Sequence, residues 1–241
     1  LRLSFYMLNT ATLALAFTLL LGLVRKITKT NIWLALLAVS AVASGRWYNY
    51  MAGLPLTDSL YVLIVVILCI AIQQKSWRLT LICIFLGPWA KESFLFLAPL
   101  LFFYGPNKVK QIPFWICSGI LVFASRYGID HSIGVEATKS VQEYSGHFGD
   151  ILYTFRKLAS PRGMGELLTV LSVFSFALVW VWAKRVFRKK IPNYIWWLLP
   201  IFVFHAFLSG EAARMLAFAT PLYAVSLAFA FEKMGKKMGW S

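Results

Sequence analysis

Apolar residues in this chain gather into nine runs, at 3–24, 31–44, 58–72, 79–90, 93–104, 112–125, 166–183, 194–209 and 211–231. All but one of the connections between them are short and polar. A hydrocarbon core of about 30 Å is crossed by roughly 20 apolar residues in a helix, or by fewer where the helix is short or its ends snorkel. The runs therefore predict an all-α, polytopic transmembrane helical bundle of about nine spans, several of them short or broken, in a single domain over 1–241. Composition excludes the soluble alternative: of 241 residues, 60% are hydrophobic and 14% charged, with a mean hydropathy of +0.71. The 24 basic and 9 acidic side chains, held in the connections, are too few to cover a soluble surface of this size.

Sidedness follows from counting charges, because nine consecutive crossings divide the connections into two sets. One set holds Arg25, Lys26, Lys29, Lys75, Arg78, Lys108, Lys110, Lys184, Arg185, Arg188, Lys189, Lys190, Lys233, Lys236 and Lys237, with Glu232 its single acid. That side, with the C-terminus, is expected to be cytoplasmic, and a bacterial inner membrane is the expected location. The other set holds nine basic residues and the remaining eight acids: Asp58, Glu92, Asp130, Glu136, Glu143, Asp150, Glu166 and Glu211. A miscount of one crossing would swap the later connections and erase the contrast. Trp33, Trp77, Trp115, Trp196 and Trp197 fall near the expected cytoplasmic ends, as an interfacial aromatic belt would.

The net charge of +15 does not signify nucleic acid, since the cations lie between apolar runs and build no basic face with interleaved aromatics. Cys69, Cys83 and Cys117 lie inside apolar runs without CxxC spacing and are expected to be small buried hydrophobes. No glycosylation sequon occurs. The long connection, 126–165, is expected on the outer side; Ile151, Leu152, Phe155 and Leu158 repeat within it at helical spacing and predict a surface helix. His131, Glu136, Glu143, His147 and Asp150 could gather a divalent cation, but their spacing matches no metal motif and a solvated loop is the simpler reading.

Charges at the ends of spans are the informative ones, because water thins out there. Asp58 opens a span and reads either as an acid complementing the helix dipole or as part of a site. Lys91-Glu92 interrupts the apolar stretch 79–104 just after Gly87-Pro88 and predicts an outward tip between two short helices, either a plain exposed turn or the lining of a polar cavity. Glu211 suits the first turn of the last span, but Arg214, one turn inside, adds positive charge to a positive helix end. It calls for an anion, with Glu211 and a phosphate as the two candidates. His205, on the preceding span, reads as an interhelical hydrogen-bonder or a catalyst.

The ordered set Leu56-Thr57-Asp58-Ser59-Leu60, then Gly87-Pro88-Trp89-Ala90-Lys91-Glu92-Ser93 with Leu97-Ala98-Pro99, then Gly210-Glu211-Ala212-Ala213-Arg214-Met215-Leu216 with Pro221-Leu222, resembles GT-C superfamily glycosyltransferases over about half the chain. The resemblance implies a multispanning enzyme that takes a sugar from a polyprenyl-phosphate donor at the outer membrane face. It implies Arg214, Lys91 and Arg46 as phosphate-contacting candidates, with Glu92, Asp58, Glu211 and His205 as orienting or acid–base candidates. The donor lipid is the expected ligand, alongside membrane lipids and other membrane subunits as partners. The family's acidic catalytic loop follows the first span, whereas here the first connection, 25–30, is short and basic. The loop is expected upstream of Leu1, or else the chain is a relative without it. The alternative function is a non-catalytic integral subunit of a larger membrane assembly.

Reporter fusions at Gly239 and within 135–149 are expected on opposite sides of the membrane. Fusions that report the same side would rule this topology out.

Overall fold

The computed structural model describes residues 2–53, 57–132, 151–209 and 212–238, and among these every regular element is helical. In chain order they are α1 (Arg2–Thr28), α2 (Ile32–Ala43), α3 (Arg46–Gly53), α4 (Asp58–Gln74), α5 (Trp77–Ala90), a 3₁₀ turn (Glu92–Leu97), α6 (Ala98–Tyr104), α7 (Lys108–Ser132) and α8 (151–158). There follow α9 (Pro161–Ala183), α10 (Arg185–Lys190), α11 (Asn193–Trp196), α12 (Leu198–Ser209), α13 (Ala212–Ala217) and α14 (Thr220–Lys237).

Two of the described helices, Arg2–Thr28 and Lys108–Ile129, are long and apolar enough to cross a membrane; Ile32–Ala43, Asp58–Gln74, Trp77–Ala90, Ser93–Tyr104 and Asn193–Leu208 are shorter apolar stretches. Several runs are subdivided. The fifth becomes the 3₁₀ turn plus α6, the eighth divides at Trp197 and the ninth divides after Ala217. Two short helices, α3 and α10, occupy connections read as plain loops. α7 also runs to Ser132 and α9 starts at Pro161, so the outer connection is shorter than 126–165. Within it, Leu152 and Phe155 of α8 are exposed, as on a surface helix.

α4 and α14 form the centre. Neither has a polar stripe along its middle, and a helix apolar all round must be enclosed. Around α4, Tyr61 to Val66, Leu68, Cys69, Ala71 and Ile72 are all buried, and in α14 every residue from Thr220 to Phe229 is buried. α1 and α5 pack on α4, while α2, α9 and α1 pack on α14. α7 lies outside, mainly against α5 and α6. Cys117 on α7 is exposed, so of the three cysteines expected to be buried Cys69 and Cys83 are and Cys117 is not.

Breaking a helix inside an apolar body frees backbone carbonyls that need donors. Pro88 continues α5 but has no N–H for the carbonyl of Ile84 four residues earlier. The Ser118 hydroxyl of α7 donates to that oxygen at 2.7 Å. Pro221 likewise leaves the Ala217 carbonyl without its helical donor, and the hydroxyls of Tyr48 and Thr220 supply it at 2.8 and 2.9 Å. The Tyr223 hydroxyl caps Leu216 at 2.8 Å. α4 ends in a pair of reversed bonds, from Lys75 N to Ile72 O and from Ser76 N to Ala71 O, with Lys75 left-handed at φ 52°. The Lys75 ammonium donates to the Tyr104 carbonyl and fastens the end of α6 there.

The Ser118–Ile84 bond predicts a dependence on Pro88. Ser118→Ala should destabilise the protein by about 0.5–2 kcal/mol. In a Pro88→Ala background, where the helix regains its own N–H, the same change should cost clearly less. Unfolding of the four variants in detergent gives the cycle, and equal costs in both backgrounds would refute the explanation.

Candidate functional site: a buried ion cluster

Three segments far apart in the chain end at one place. Asp58 is the first residue of α4, preceded by Thr57, whose side chain makes no cap bond. Lys91 follows the last residue of α5, where the backbone turns extended at φ −164° and ψ 132° before the 3₁₀ turn. Arg214 is the third residue of the six-residue α13. The Asp58 carboxylate accepts from Lys91 Nζ at 3.0 Å through Oδ1 and from Arg214 Nε at 2.5 Å through Oδ2. Its side chain is 3% exposed, against 21% for Lys91 and 17% for Arg214.

The geometry has local causes. Gly87 lets the chain fold back after Lys91, since a Cβ there would lie 2.2 Å from the Phe94 ring. The chain breaks at Lys91, where the interruption was expected, while Gly87-Pro88 stay inside α5: the glycine provides space for Phe94, and the proline is tolerated because Ser118 caps the carbonyl it frees. Helix dipoles favour two of the three charges, with Asp58 at the N-terminal end of α4 and Lys91 at the C-terminal end of α5. The unfavourable dipole expected at Arg214 shrinks, because α13 ends at Ala217 and the arginine lies as near its last turn as its first. Of the two anions expected for Arg214, Glu211 lies outside the described residues, and the carboxylate that the described residues bring to it was not among those expected. It is Asp58, 156 residues away.

Aromatic rings form the floor. Tyr61, one turn along α4 from Asp58, meets Phe94, Phe202 and Phe218 edge to face at 6.3, 6.2 and 4.7 Å between centroids. Lys91 Nζ lies 5.1 Å from the Phe218 centroid, a cation–π distance. The floor excludes water beneath the charges and strengthens their attraction. Sequence reading missed it, because a Tyr or Phe inside an apolar run looks the same whether it fills a core or underlies a site. The one available signal was the placement of Phe94 and Phe218 three and four residues beyond the two cations.

The remaining candidates divide. His205 of α12 is buried against Phe96, with ring centroids 5.6 Å apart, and feels the charges of Lys91, Asp58 and Arg214. Its Nδ1 makes none of the described hydrogen bonds, so the interhelical bond expected of it is not found through that atom. Arg46 is exposed at the start of α3, and no described ion pair joins it to the cluster. Glu211 lies outside the described residues, as does the Glu92 side chain, although the backbone of Glu92 opens the 3₁₀ turn. Of the expected cation-binding set, Glu136, Glu143, His147 and Asp150 also lie outside them, and His131 stacks on Tyr127. Among the described residues no group of three or more His, Cys, Asp or Glu side chains could hold a metal.

Two cations and one shielded carboxylate from three distant parts of the chain meet here through direct ion pairs. No protein-family model matches the chain, and comparison with characterised proteins and with solved structures likewise finds no match.

Removing the carboxylate should take from Lys91 and Arg214 the partner that they share. Asp58→Ala is expected to destabilise the protein by about 3–5 kcal/mol. Adding Lys91→Met should recover part of that loss, and unfolding in detergent measures both. A stability unchanged by Asp58→Ala would show that the cluster does not hold the three segments together.

Proposed function

We propose that the chain is an integral membrane protein of about nine short or broken spans, and that the Asp58–Lys91–Arg214 cluster at its outer end binds the phosphate of a polyprenyl-phosphate sugar donor. The observation that carries this reading is the convergence itself. Asp58, Lys91 and Arg214 come from the three stretches that resemble the GT-C glycosyltransferases, and they meet through direct ion pairs. The charge asymmetry puts all three on the outer side. Helices of 12 to 17 residues such as α2 and α4 reach about 18–26 Å, and the breaks capped by Ser118, Tyr48 and Tyr223 are of the kind a bilayer permits within protein. Exposed Trp33 and Trp197 suit an interfacial belt at the inner side, with the C-terminus cytoplasmic and the membrane a bacterial inner one.

In this reading Lys91 and Arg214 hold the donor phosphate, and Asp58, bonded to both, positions them. Transfer forms a bond from an acceptor hydroxyl oxygen to the anomeric carbon and breaks the bond from that carbon to the phosphate oxygen. The cations stabilise the charge left on the polyprenyl phosphate. The hydroxyl proton goes to a carboxylate, for which the family uses an acidic loop that these residues do not include. A second reading, a non-catalytic subunit, is favoured by one observation: Ile112, Ile116, Ile120 and Phe123 of α7 are all exposed and form an apolar face that a neighbouring subunit would cover as well as lipid would.

The deciding experiment is binding of a polyprenyl phosphate to the purified full chain. Arg214→Ala should weaken it about tenfold or more, the worth of a charge-assisted hydrogen bond of about 1.5–3 kcal/mol. Arg214→Lys should restore only part, because an ammonium cannot make the bidentate contact. Unchanged binding in a folded Arg214→Ala protein moves the assignment to the subunit.

A further inference from the structure

A second feature lies at the other end of α4. Between α1 and α4 there is a groove of about 270 Å³, bordered by Leu19, Gly22, Lys26, Ile70, Gln73 and Gln74. It begins at Ile70, 12 residues beyond Asp58, which is about 18 Å along the helix axis. The groove is therefore separate from the ion cluster. Toward the middle of the helices its wall is Leu19, Ile70 and Thr18, whose hydroxyl donates to the Ala14 carbonyl at 2.8 Å, and toward their ends it is polar, at Lys26, Gln73 and Gln74. Gly22 keeps it open: a Cβ added there would meet no atom within 4 Å, so the space is not needed for packing one helix on the other. The Gln73 amide is fixed by the Tyr194 hydroxyl, which donates to its Oε1 at 2.7 Å, and this turns the Nε2 donors away from Tyr194. Lys26 has no acid partner among the described ion pairs.

Charge decides what the polar end would take. The C-terminal ends of α1 and α4 each contribute about half a negative charge. Against them stand Arg25, Lys26, Lys29, Lys75 and Arg78 in the two connections at that end, with no acid among residues 25–30 or 75–78. The balance favours an anion. Volume decides its size, since 270 Å³ is just below the range of about 300–1,000 Å³ of small-molecule sites and too large for a single ion. We propose that this groove binds one anionic phospholipid of the inner leaflet, its phosphodiester on Lys26 and the Gln73 and Gln74 amides and the start of an acyl chain against Leu19 and Ile70. The proposal rests on the membrane reading but not on the glycosyltransferase one.

The test uses the full chain reconstituted with mixtures of phosphatidylglycerol and phosphatidylcholine, with the lipid retained on purification counted by native mass spectrometry. The wild-type chain should retain one phosphatidylglycerol in preference to phosphatidylcholine. Lys26→Ala should lower that preference about fivefold. Gly22→Leu, which fills the groove without changing charge, should abolish retention while leaving the unfolding of the protein in detergent unchanged. Retention in Gly22→Leu equal to wild type overturns the proposal. So does an equal loss in Arg25→Ala, which would reduce the effect to the general charge of that surface. Displacement of the lipid by inorganic phosphate would assign the groove to a soluble phosphate compound and overturn the lipid. Release of the chain from membranes by alkaline carbonate would sink the membrane reading itself. A chain that resists extraction yet shows no lipid preference would sink the groove alone.

Discussion

A carboxylate 3% exposed to solvent cannot remain charged without partners, and Asp58 obtains two from opposite parts of the chain. The desolvation of each buried ion amounts to several kcal/mol, recovered only when the counter-ions arrive at hydrogen-bonding distance. The start of α4, the end of α5 and the middle of α13 are therefore bound to a common point. Much of the surrounding structure serves that point: the absent side chain at Gly87 admits Phe94, Phe94 and Phe218 close the floor on Tyr61, and the extended backbone at Lys91 turns its side chain back over Phe218. An apolar trio in place of the ions would be at least as stable on general grounds. A cluster of this kind is thus a poor choice for stability alone, which agrees with the anion-binding role proposed for it.

The same body solves a second problem, that of interrupted helices in an apolar interior. α5 continues past a proline, α14 has one as its second residue, and each leaves a carbonyl that its own helix cannot satisfy. Hydroxyl groups from elsewhere in the fold make up the deficit, Ser118 for Ile84 and Tyr48 for Ala217. These bonds do more than cap. The Tyr48 bond ties α3 to the junction immediately after Arg214, and the Ser118 bond ties the peripheral α7 to the helix that ends at Lys91. Both cations are thus carried on segments whose irregularity is fixed by side chains from other elements, which gives the cluster a defined geometry despite the short helices that hold it.

α4 joins the two ends of the molecule. Its first residue carries the carboxylate of the cluster and its last turns border the groove beside Lys26. Between them it is buried nearly all round, so it acts as a rigid strut rather than a mobile element. What surrounds α4 differs between its ends: three charged segments meet at one, and at the other a glycine on α1 borders the groove.

Read without the structure, the chain already fixed its helical class, because long apolar runs without period-2 alternation and with breakers only at their edges have no other way to satisfy their backbone. The starts of α2 and α4 and the interruption at Lys91 were legible for the same local reason, since Asn31, Asp58 and adjacent opposite charges act within a turn or two of their own position. So was the demand for an anion at Arg214, which follows from a charge near a helix end. That Asp58 would answer it was not. Asp58 and Arg214 are joined by the packing of α4 against neighbours far along the chain, and no local propensity encodes a partner 156 residues away. The breaks at Trp197 and after Ala217, the aromatic floor and the groove at Gly22 were hidden likewise: a Phe, a Pro or a Gly in an apolar run has one sequence appearance and several possible surroundings. Helix type and charge demand are properties of segments, and residues alone determine them. Which charges meet, and which spaces stay open, depends on how the segments pack, and only the tertiary structure decides that.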